Sequence, residues 1–162
     1  MKCHIIVGMP GTGKSTFVFE ILDRIPNKKT IFVYDVENEY KKYFPYPLLD
    51  FNEFINKITP IKKAVIVFEE STIFLSNRSF NQQVQRLITQ KRHTGNYLLF
   101  IFHSVRAIPY YIYDSADYLT LFKTNDTVEL INYRFRDRNV NNAWHEVNNN
   151  NDFHFKKTLR LK

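Results

Sequence analysis

The chain of 162 residues contains little cysteine, little glycine and no long apolar run. Its single cysteine, Cys3, excludes an internal disulfide bond. No stretch approaches the roughly 18 to 20 uninterrupted apolar residues of a membrane helix, and residues 1–5 do not open a signal-peptide segment. Cys3 and the scattered histidines also lack the spacing of zinc ligands. These absences predict a soluble protein of the reducing cytoplasm, with no membrane span and no structural zinc.

The chain is rich in positive charge and in aromatic side chains. Lys and Arg number 23 against 16 Asp and Glu, which gives a formal net charge of +7, and aromatic residues make up 16%. A basic chain favours a polyanionic partner or a phosphate-bearing ligand, although an AT-rich genome produces the same bias towards Lys, Asn, Ile, Phe and Tyr. With 44% hydrophobic residues, the chain is predicted to bury one core.

Three of the four glycines belong to one motif near the N-terminus. Residues 8–15 read GMPGTGKS, which matches the phosphate-binding pattern G-x-x-x-x-G-K-[ST] at every required position. The motif follows a short apolar run, residues 4–7, and opens an amphipathic pattern over residues 15–25. Such a strand, loop and helix wrap backbone N–H groups around the phosphates of a nucleotide. The predicted nucleotide-binding residues are Gly8, Met9, Pro10, Gly11, Thr12, Gly13, Lys14, Ser15 and Thr16.

Two residues of this loop and two acids downstream predict the chemistry of a P-loop ATPase. Lys14 is expected to reach the β- and γ-phosphates, and the Ser15 hydroxyl to bind Mg²⁺. The apolar residues 64–68 are followed by Glu69 and Glu70. Glu69 at the end of a buried strand is predicted to bind the metal with Ser15, and Glu70 to polarise the attacking water. The alternative interpretation is a strand that ends in two solvated glutamates.

Strand-like runs alternate with helical patterns along the rest of the chain. This alternation predicts an α/β fold: a P-loop NTPase, a three-layer sandwich with a mainly parallel central sheet of about five strands, of the additional-strand type. The expected strands after the first are residues 30–35, 64–68, 96–104 and 118–122, and the expected helices after the first are residues 48–58, 80–92 and a segment from 126 onward.

Polar residues follow these predicted strands at the ends where a parallel sheet forms its site. Gly8, Asp35, Glu69 and His103 each come at the carboxyl end of a strand-like run. The carboxyl ends of parallel strands meet at one edge of a sheet. We therefore expect these four residues to converge around the nucleotide.

With these motifs the chain resembles the FtsK–HerA superfamily of P-loop ATPases, which includes viral genome-packaging ATPases and the Zot-like proteins of filamentous phages. The likeness covers about residues 3–125 and rests on the loop at 8–15, the element Asp35-x-x-x-Glu39-Tyr40 and the Glu69-Glu70 pair. Members work as rings that pump DNA. The resemblance thus implies ATP and Mg²⁺ as cofactors, a homo-oligomeric ring, sequence-independent DNA binding and a capsid or portal protein as a partner.

The resemblance also implies roles for a histidine and an arginine. His103 would occupy the sensor position, where Gln or Asn is more usual, and would read the γ-phosphate or align water; a hydrogen-bonded histidine at a strand end is the alternative. Arg92 would be the arginine finger that a neighbouring subunit inserts into the site. Arg86 is the second candidate for that finger, and for either arginine an ordinary solvated helix residue remains the alternative.

The C-terminal part is predicted to pack on the same domain as the core. We divide the chain into an ATPase core, residues 1–125, and a C-terminal helix, Asn-rich loop and basic tail, residues 126–162. Arg134, Arg136 and Arg138 form a local basic patch, and residues 106–113 hold three tyrosines and an arginine; both suit DNA contact or an ordinary surface. Residues 139–151 are expected to form a polar loop or short helix. The tail from Phe153 is expected to be an edge strand, or an arm that docks on a neighbouring subunit.

The function predicted from the sequence is that of a Mg²⁺-dependent ATPase, a ring-forming motor that packages or translocates viral DNA in the host cytoplasm. A small-molecule kinase of the nucleoside type is one alternative, since the size of the chain permits it. A low-turnover ATP-binding assembly or regulatory protein is another. Hydrolysis stimulated by DNA discriminates the motor from both.

Overall fold

The computed structural model describes residues 2–45, 50–75 and 78–162, without the side chains of residues 73, 74, 78, 79, 91 and 92. Its strands are β1 (Lys2–Val7), β2 (Ile31–Tyr34), β3 (Val65–Phe68), β4 (Tyr97–Phe102), β5 (Tyr118–Leu121) and β6 (Lys157–Arg160). Its helices are α1 (Lys14–Asp23), α2 (Phe51–Ile58), α3 (Ser71–Phe74), α4 (Arg78–Thr94), α5 (Tyr110–Ser115), α6 (Val128–Phe135) and α7 (Arg138–Asn149). Short 3₁₀ turns cover Lys28–Thr30 and Val105–Ala107.

The strands form one sheet in the order β2-β3-β4-β1-β5-β6. The first five strands are parallel, and β6 runs antiparallel to β5. Strand β4 lies between β1 and β3, which is the additional strand that the sequence predicted. The α/β P-loop NTPase fold is confirmed, with a correction to six strands because the predicted edge strand of the tail joins the sheet as β6.

The central strands are apolar along their whole length because helices cover both faces of a parallel sheet. All four residues of β3 are buried, as are five of the six in β4. Phe68 and Phe100 stack across these two strands with their ring centres 4.9 Å apart. The core therefore lies on and around β3, β4 and β1, the strands that precede the predicted site residues.

Several helices begin or end at residues other than the predicted ones, because capping and packing set their boundaries. Helix α1 ends at Asp23, and α4 extends two residues beyond the predicted 80–92 at each end. Helix α2 begins after Asp50, whose side chain accepts the backbone N–H of Glu53; residues 48 and 49 of the predicted helix lie outside the described residues. The Asn-rich segment is not a loop but the twelve-residue helix α7, because Val140, Ala143 and Val147 repeat at helical spacing and are buried.

The C-terminal elements contact one another and the end of the core. Trp144 in α7 donates its indole N–H to the Asp126 carbonyl at 3.0 Å, and the Asn148 side chain accepts the Thr124 backbone N–H at 3.0 Å. The division at residue 125 stays a prediction, although β6 shares a sheet with β1 to β5. Within the described ranges, the helices are all too short or too polar to cross a membrane.

Candidate nucleotide-binding site

The loop after β1 depends on three glycines at positions that larger residues do not fit. A Cβ atom on Gly8 would lie 2.5 Å from Cβ of Phe122, so the loop packs directly against the residue that follows β5. Gly11 and Gly13 have φ angles of +79° and +91°, which side-chain-bearing residues rarely adopt. Gly13 is also the N-cap of α1, so that the free N–H groups of the helix start face the loop.

Hydrogen bonds close the loop around the carbonyl of Met9. This oxygen accepts the Thr12 hydroxyl at 2.8 Å and the Lys14 ammonium at 3.0 Å. The Met9 N–H donates to the carbonyl of Lys123, beyond β5, at 2.9 Å. These bonds hold the loop against the sheet and keep Lys14 beside the loop. A lysine that binds phosphate must lie there.

Lys14 is 5% exposed, and burial lowers the pKa of its ammonium, while the charges of Glu69 and Glu70 oppose that shift. Glu69 is 7% exposed at the end of β3. Burial first, and then the charges of Glu70, Glu39 and Asp35, raise the pKa of the Glu69 carboxyl to about 8. Phosphate oxygens favour the charged form of Lys14, and a cation favours the charged form of Glu69. Both side chains are therefore suited to bind an ionic ligand.

The Asp35-x-x-x-Glu39-Tyr40 element fixes the turn after β2 and brings Tyr40 to Glu69. The Asp35 carboxylate accepts the backbone N–H groups of Glu37 at 2.9 Å and Tyr40 at 3.0 Å, which fixes the turn after β2. The Tyr40 side chain is buried, and its hydroxyl donates to Oε2 of Glu69 at 3.4 Å. Burial, followed by the Glu69 charge, raises the pKa of Tyr40, whereas a hydrogen bond with Ser15 acts in the opposite direction. Tyr40 therefore joins the two predicted metal ligands, a role that the sequence did not reveal.

Glu70 and His103 form a pair at the same edge of the sheet. His103 Nε2 lies 2.6 Å from Oε1 of Glu70, and its buried Nδ1 has no hydrogen-bond partner among the described residues. Glu70 has φ 50° and ψ 38°, a left-handed conformation that costs energy for a residue with a side chain. Glu69 and His103 lie at the carboxyl ends of β3 and β4, two of the four strand ends named in the sequence, and the sensor role of His103 stays a prediction.

A groove of about 730 Å³ runs along the loop and the start of α1. That volume is within the usual range for small-molecule sites. Its lining includes five of the nine predicted loop residues, Gly11, Gly13, Lys14, Ser15 and Thr16. Gly8, Met9 and Thr12 shape the loop, and Pro10 is exposed beside it. His154 and Lys156 of the tail also line the groove, and sequence reasoning missed both because their segment was assigned to an edge strand or a docking arm.

Magnesium is compatible with the side chains present. The Ser15 hydroxyl and the Glu69 carboxylate supply the hard oxygen ligands that Mg²⁺ prefers. Three or more His, Cys, Asp or Glu side chains in metal-binding arrangement are not found within residues 2–45, 50–75 and 78–162. A cation here would therefore share its coordination with phosphate oxygens and water, as is usual for Mg²⁺ at nucleotide sites.

The two arginine-finger candidates lie apart from this cluster. Helix α4 ends at Thr94, whose carbonyl accepts the N–H of Lys63 just before β3, so Arg92 is at the edge of the sheet opposite the P-loop. Arg86 lies in the middle of α4 and is exposed. The backbone of Arg92 lies away from the P-loop, Arg86 does not line the groove, and the finger role stays a prediction.

Solved structures with the same fold include genome-packaging enzymes of Sulfolobus turreted icosahedral viruses. The genome packaging NTPase B204 of Sulfolobus turreted icosahedral virus 2, in complex with ATPγS, matches with a TM-score of 0.73 and 16% identity over 99% of this chain and 92% of that one. B204, the DNA-packaging ATPase of Sulfolobus turreted icosahedral virus, matches with a TM-score of 0.75 and 13% identity over the same shares.

Sequence comparison points to one family. Curated protein sequences give no match. The family model described as "Helicase HerA, central domain" matches residues 4–159, which is nearly the whole chain and includes the loop, both glutamates, His103 and the tail. The resemblance to the FtsK–HerA superfamily is thus confirmed, and the chain belongs to the HerA central-domain family.

Proposed function

We propose that this protein is a Mg²⁺-dependent ATPase that works as a ring-forming motor and packages or translocates viral DNA. The observation that carries the proposal is the closeness of Lys14 to Glu69 and to Glu70, which pairs with His103 at 2.6 Å, while Lys14 also lines a groove of nucleotide size. A nucleotide-binding protein without hydrolysis needs the lysine but not the paired acids. The HerA family and the packaging enzymes of the same fold support the choice of DNA as cargo.

Each residue of the site has one task in this proposal. The loop N–H groups and Lys14 bind the phosphates, and burial strengthens the attraction between Lys14 and their charge. Ser15 and Glu69, joined by Tyr40, hold Mg²⁺, which screens the phosphate charge when bound. Glu70 accepts a proton from the attacking water, and His103 fixes the orientation of the Glu70 carboxylate at 2.6 Å.

The position of Arg92 supports the proposal of a ring. An arginine at the opposite edge of the sheet from its own loop is suited to the site of a neighbouring subunit, where its planar cation stabilises the charge of the transition state. In a head-to-tail ring each subunit supplies a loop to one neighbour and an arginine to the other. Arg86 is the second candidate because it is exposed on the same helix.

DNA contact is assigned to the exposed basic and aromatic side chains around α5 and α6. Arg136 and Arg138 are exposed, and the side chains of Tyr110 and Tyr133 are 68% and 71% exposed. Cations that meet phosphates without reading bases give sequence-independent binding, which suits a translocating motor. A capsid or portal protein in the host cytoplasm is the further partner that packaging requires.

The proposal is tested by the rate of ATP hydrolysis with and without double-stranded and single-stranded DNA, together with a sizing run. We expect DNA to stimulate hydrolysis and the specific rate to rise with protein concentration as rings form. Lys14→Ala is expected to abolish ATP binding, and Glu70→Gln to keep binding but lower kcat by about 100-fold or more. Glu53→Gln, a carboxamide change on an exposed residue of α2 that a capping box tolerates, is the control and should leave the rate unchanged.

Other outcomes favour the two alternatives. A monomer that hydrolyses ATP equally with and without DNA contradicts the motor. Phosphate transfer to a nucleoside would identify a kinase, and ATP binding without turnover would identify a regulatory or assembly protein.

A further inference from the structure

Because β6 runs antiparallel to β5, the residues just before β6 lie at the nucleotide groove. Strand β5 ends at the same edge as the P-loop, because it is parallel to β1. In the antiparallel pair, Leu121 lies opposite Lys157, so the residues just before β6 face those just after β5. Lys156 thereby comes opposite Phe122, the residue that Gly8 packs against.

The segment before β6, residues 152–156, is a defined turn. The Asp152 carboxylate accepts the backbone N–H of His154 at 2.9 Å, and the Asp152 carbonyl accepts that of Phe155 at 3.1 Å. The Asp152 N–H donates to the side chain of Asn150 at 2.8 Å, which links the turn to the end of α7. The backbone that presents His154 and Lys156 is therefore held before any ligand arrives.

The side chains of this turn lie directly on the loop. The His154 ring is so close to Gly13 that a Cβ there would lie 3.3 Å from Nδ1. Lys156 Nζ lies 5.0 Å from the ring centre of Phe17 and 5.9 Å from that of Phe122, which places its cation over an aromatic pair. Lys156 has no acidic partner within the described part of the chain, whereas Lys157 pairs with Glu146 at 2.6 Å.

The groove has two chemically different ends. Lys14 and Ser15 line the end for the terminal phosphates and the metal, and the charges of Glu69 and Glu70 act on Lys14 there. A nucleotide bound by its phosphates must place its sugar and base along the rest of the lining, which includes Phe17, Phe122, His154 and Lys156. That region offers an aromatic surface, an imidazole and an ammonium, which match the stacking and hydrogen-bonding groups of a nucleoside.

We propose that residues 152–156 form the nucleoside-binding wall of the groove, with His154 contacting the sugar and Lys156 the α-phosphate of a bound nucleoside triphosphate. The inference rests on the proposed function, because it requires the groove to be a nucleotide site. It adds two binding residues from the C-terminal tail to a site otherwise built from residues 8–122. Recognition of the nucleoside then depends on β6 staying paired with β5.

Calorimetric titration with ATPγS and with inorganic tripolyphosphate, both with Mg²⁺, tests the proposal on the full chain. His154→Ala should weaken ATPγS binding about fivefold and leave tripolyphosphate binding unchanged, because tripolyphosphate has no sugar. Lys156→Gln should weaken ATPγS binding about tenfold through loss of a charge-assisted bond. Lys157→Gln is the matched control: it removes the same charge one residue away from the groove and should bind as the unmutated chain does.

The possible results separate this inference from the proposed function. ATPγS binding unchanged in both His154→Ala and Lys156→Gln overturns the inference while leaving the ATPase proposal intact. An equal loss in Lys157→Gln and Lys156→Gln also overturns it, since net charge alone would then account for the effect. If the unmutated chain binds no ATPγS, the proposed function fails and the inference fails with it. Melting temperatures without ligand check that the variants are folded.

Discussion

At the scale of single residues, burial decides the charge of His4 in the middle of the sheet. This side chain in β1 is 3% exposed, with Nδ1 2.8 Å from the Tyr97 hydroxyl and Nε2 2.8 Å from the Thr120 hydroxyl. Burial, and to a smaller extent the charge of Lys2, lowers the pKa of His4 from 6.5 to about 4. The folded protein therefore holds a neutral imidazole between two hydroxyl groups.

The contribution of His4 to the free energy of unfolding should fall as the pH falls from 6.5 to 4, whereas the raised pKa of Glu69 acts in the opposite direction. In that window the unfolded chain binds a proton at His4 that the folded chain does not, so acid favours unfolding. Below pH 4 the accumulated loss from this residue is on the order of 3 kcal/mol. Urea denaturation at a series of pH values measures the slope.

His4→Gln is the matched variant for that measurement, because it keeps a polar side chain but has no titration. We expect it to be less stable at pH 7 and to lose less stability on acidification than the unmutated chain. Parallel pH profiles for the two proteins would show that the imidazole contributes nothing to the acid sensitivity.

Single residues of the site were predictable from sequence to very different degrees. The loop at residues 8–15 is a contiguous pattern whose chemistry is local, and the structure has it in the expected strand–loop–helix setting. Tyr40 and His154 reach the site only through the turn after β2 and the antiparallel edge strand. No spacing along the sequence encodes such contacts, because they depend on which strands become neighbours.

At the scale of elements, α2 illustrates how a cap sets a boundary. Asp50 accepts the N–H of Glu53 at 2.9 Å, and the Glu53 carboxylate returns a contact to the Asp50 N–H at 3.4 Å. This reciprocal pair satisfies two N–H groups that the first helical turn leaves unpaired. The apolar residues from Phe51 onward then pack beneath the helix.

Removing the cap should destabilise the protein. Asp50→Ala is expected to lower the free energy of unfolding by about 1 kcal/mol, since one acceptor and its favourable charge at the helix start are lost. Chemical denaturation measures the difference. Asp50→Asn retains an acceptor and should lose much less; equal losses in the two variants would show that the cap is not the cause.

Elements were easier to predict in kind than in extent. Long periodic segments such as α4 and continuous apolar runs such as β4 have the expected type. Helix α7 was expected to be a loop or short helix because its exposed positions are asparagines, which have low helix propensity. Three buried residues and a cap at Asp137 outweigh that propensity in the folded chain.

At the scale of the whole molecule, the shared direction of the parallel strands places the P-loop and Arg92 at opposite edges of the sheet. Arg92 is the residue that we propose for the site of a neighbouring subunit. The loop follows β1, whereas Arg92 lies at the end of α4 that leads into β4. Because parallel strands share one direction, these positions are at opposite edges. If Arg92 is the finger that we propose, a complete catalytic site requires two copies of the chain.

Mixing two inactive variants tests this arrangement. Arg92→Ala and Lys14→Ala should each hydrolyse ATP slowly, and an equimolar mixture should regain activity at about a quarter of its interfaces, where an intact loop meets an intact arginine. Arg86→Ala, in the same helix, is the comparison. If Arg86→Ala, and not Arg92→Ala, restores activity when mixed with Lys14→Ala, Arg86 is the finger. A mixture no faster than its separate components would exclude a finger supplied by a neighbour.

The two ends of the described chain meet far from the groove. The Asp117 carboxylate accepts the N–H of Cys3 at 2.7 Å, and the Asp117 carbonyl accepts that of Leu161 at 2.9 Å. Both contacts lie at the start of β1, the edge of the sheet away from the loop. A surface tether or fluorescent fusion at either terminus would leave the groove unobstructed, and a short peptide joining the termini would permit a circularly permuted chain opened at an exposed turn.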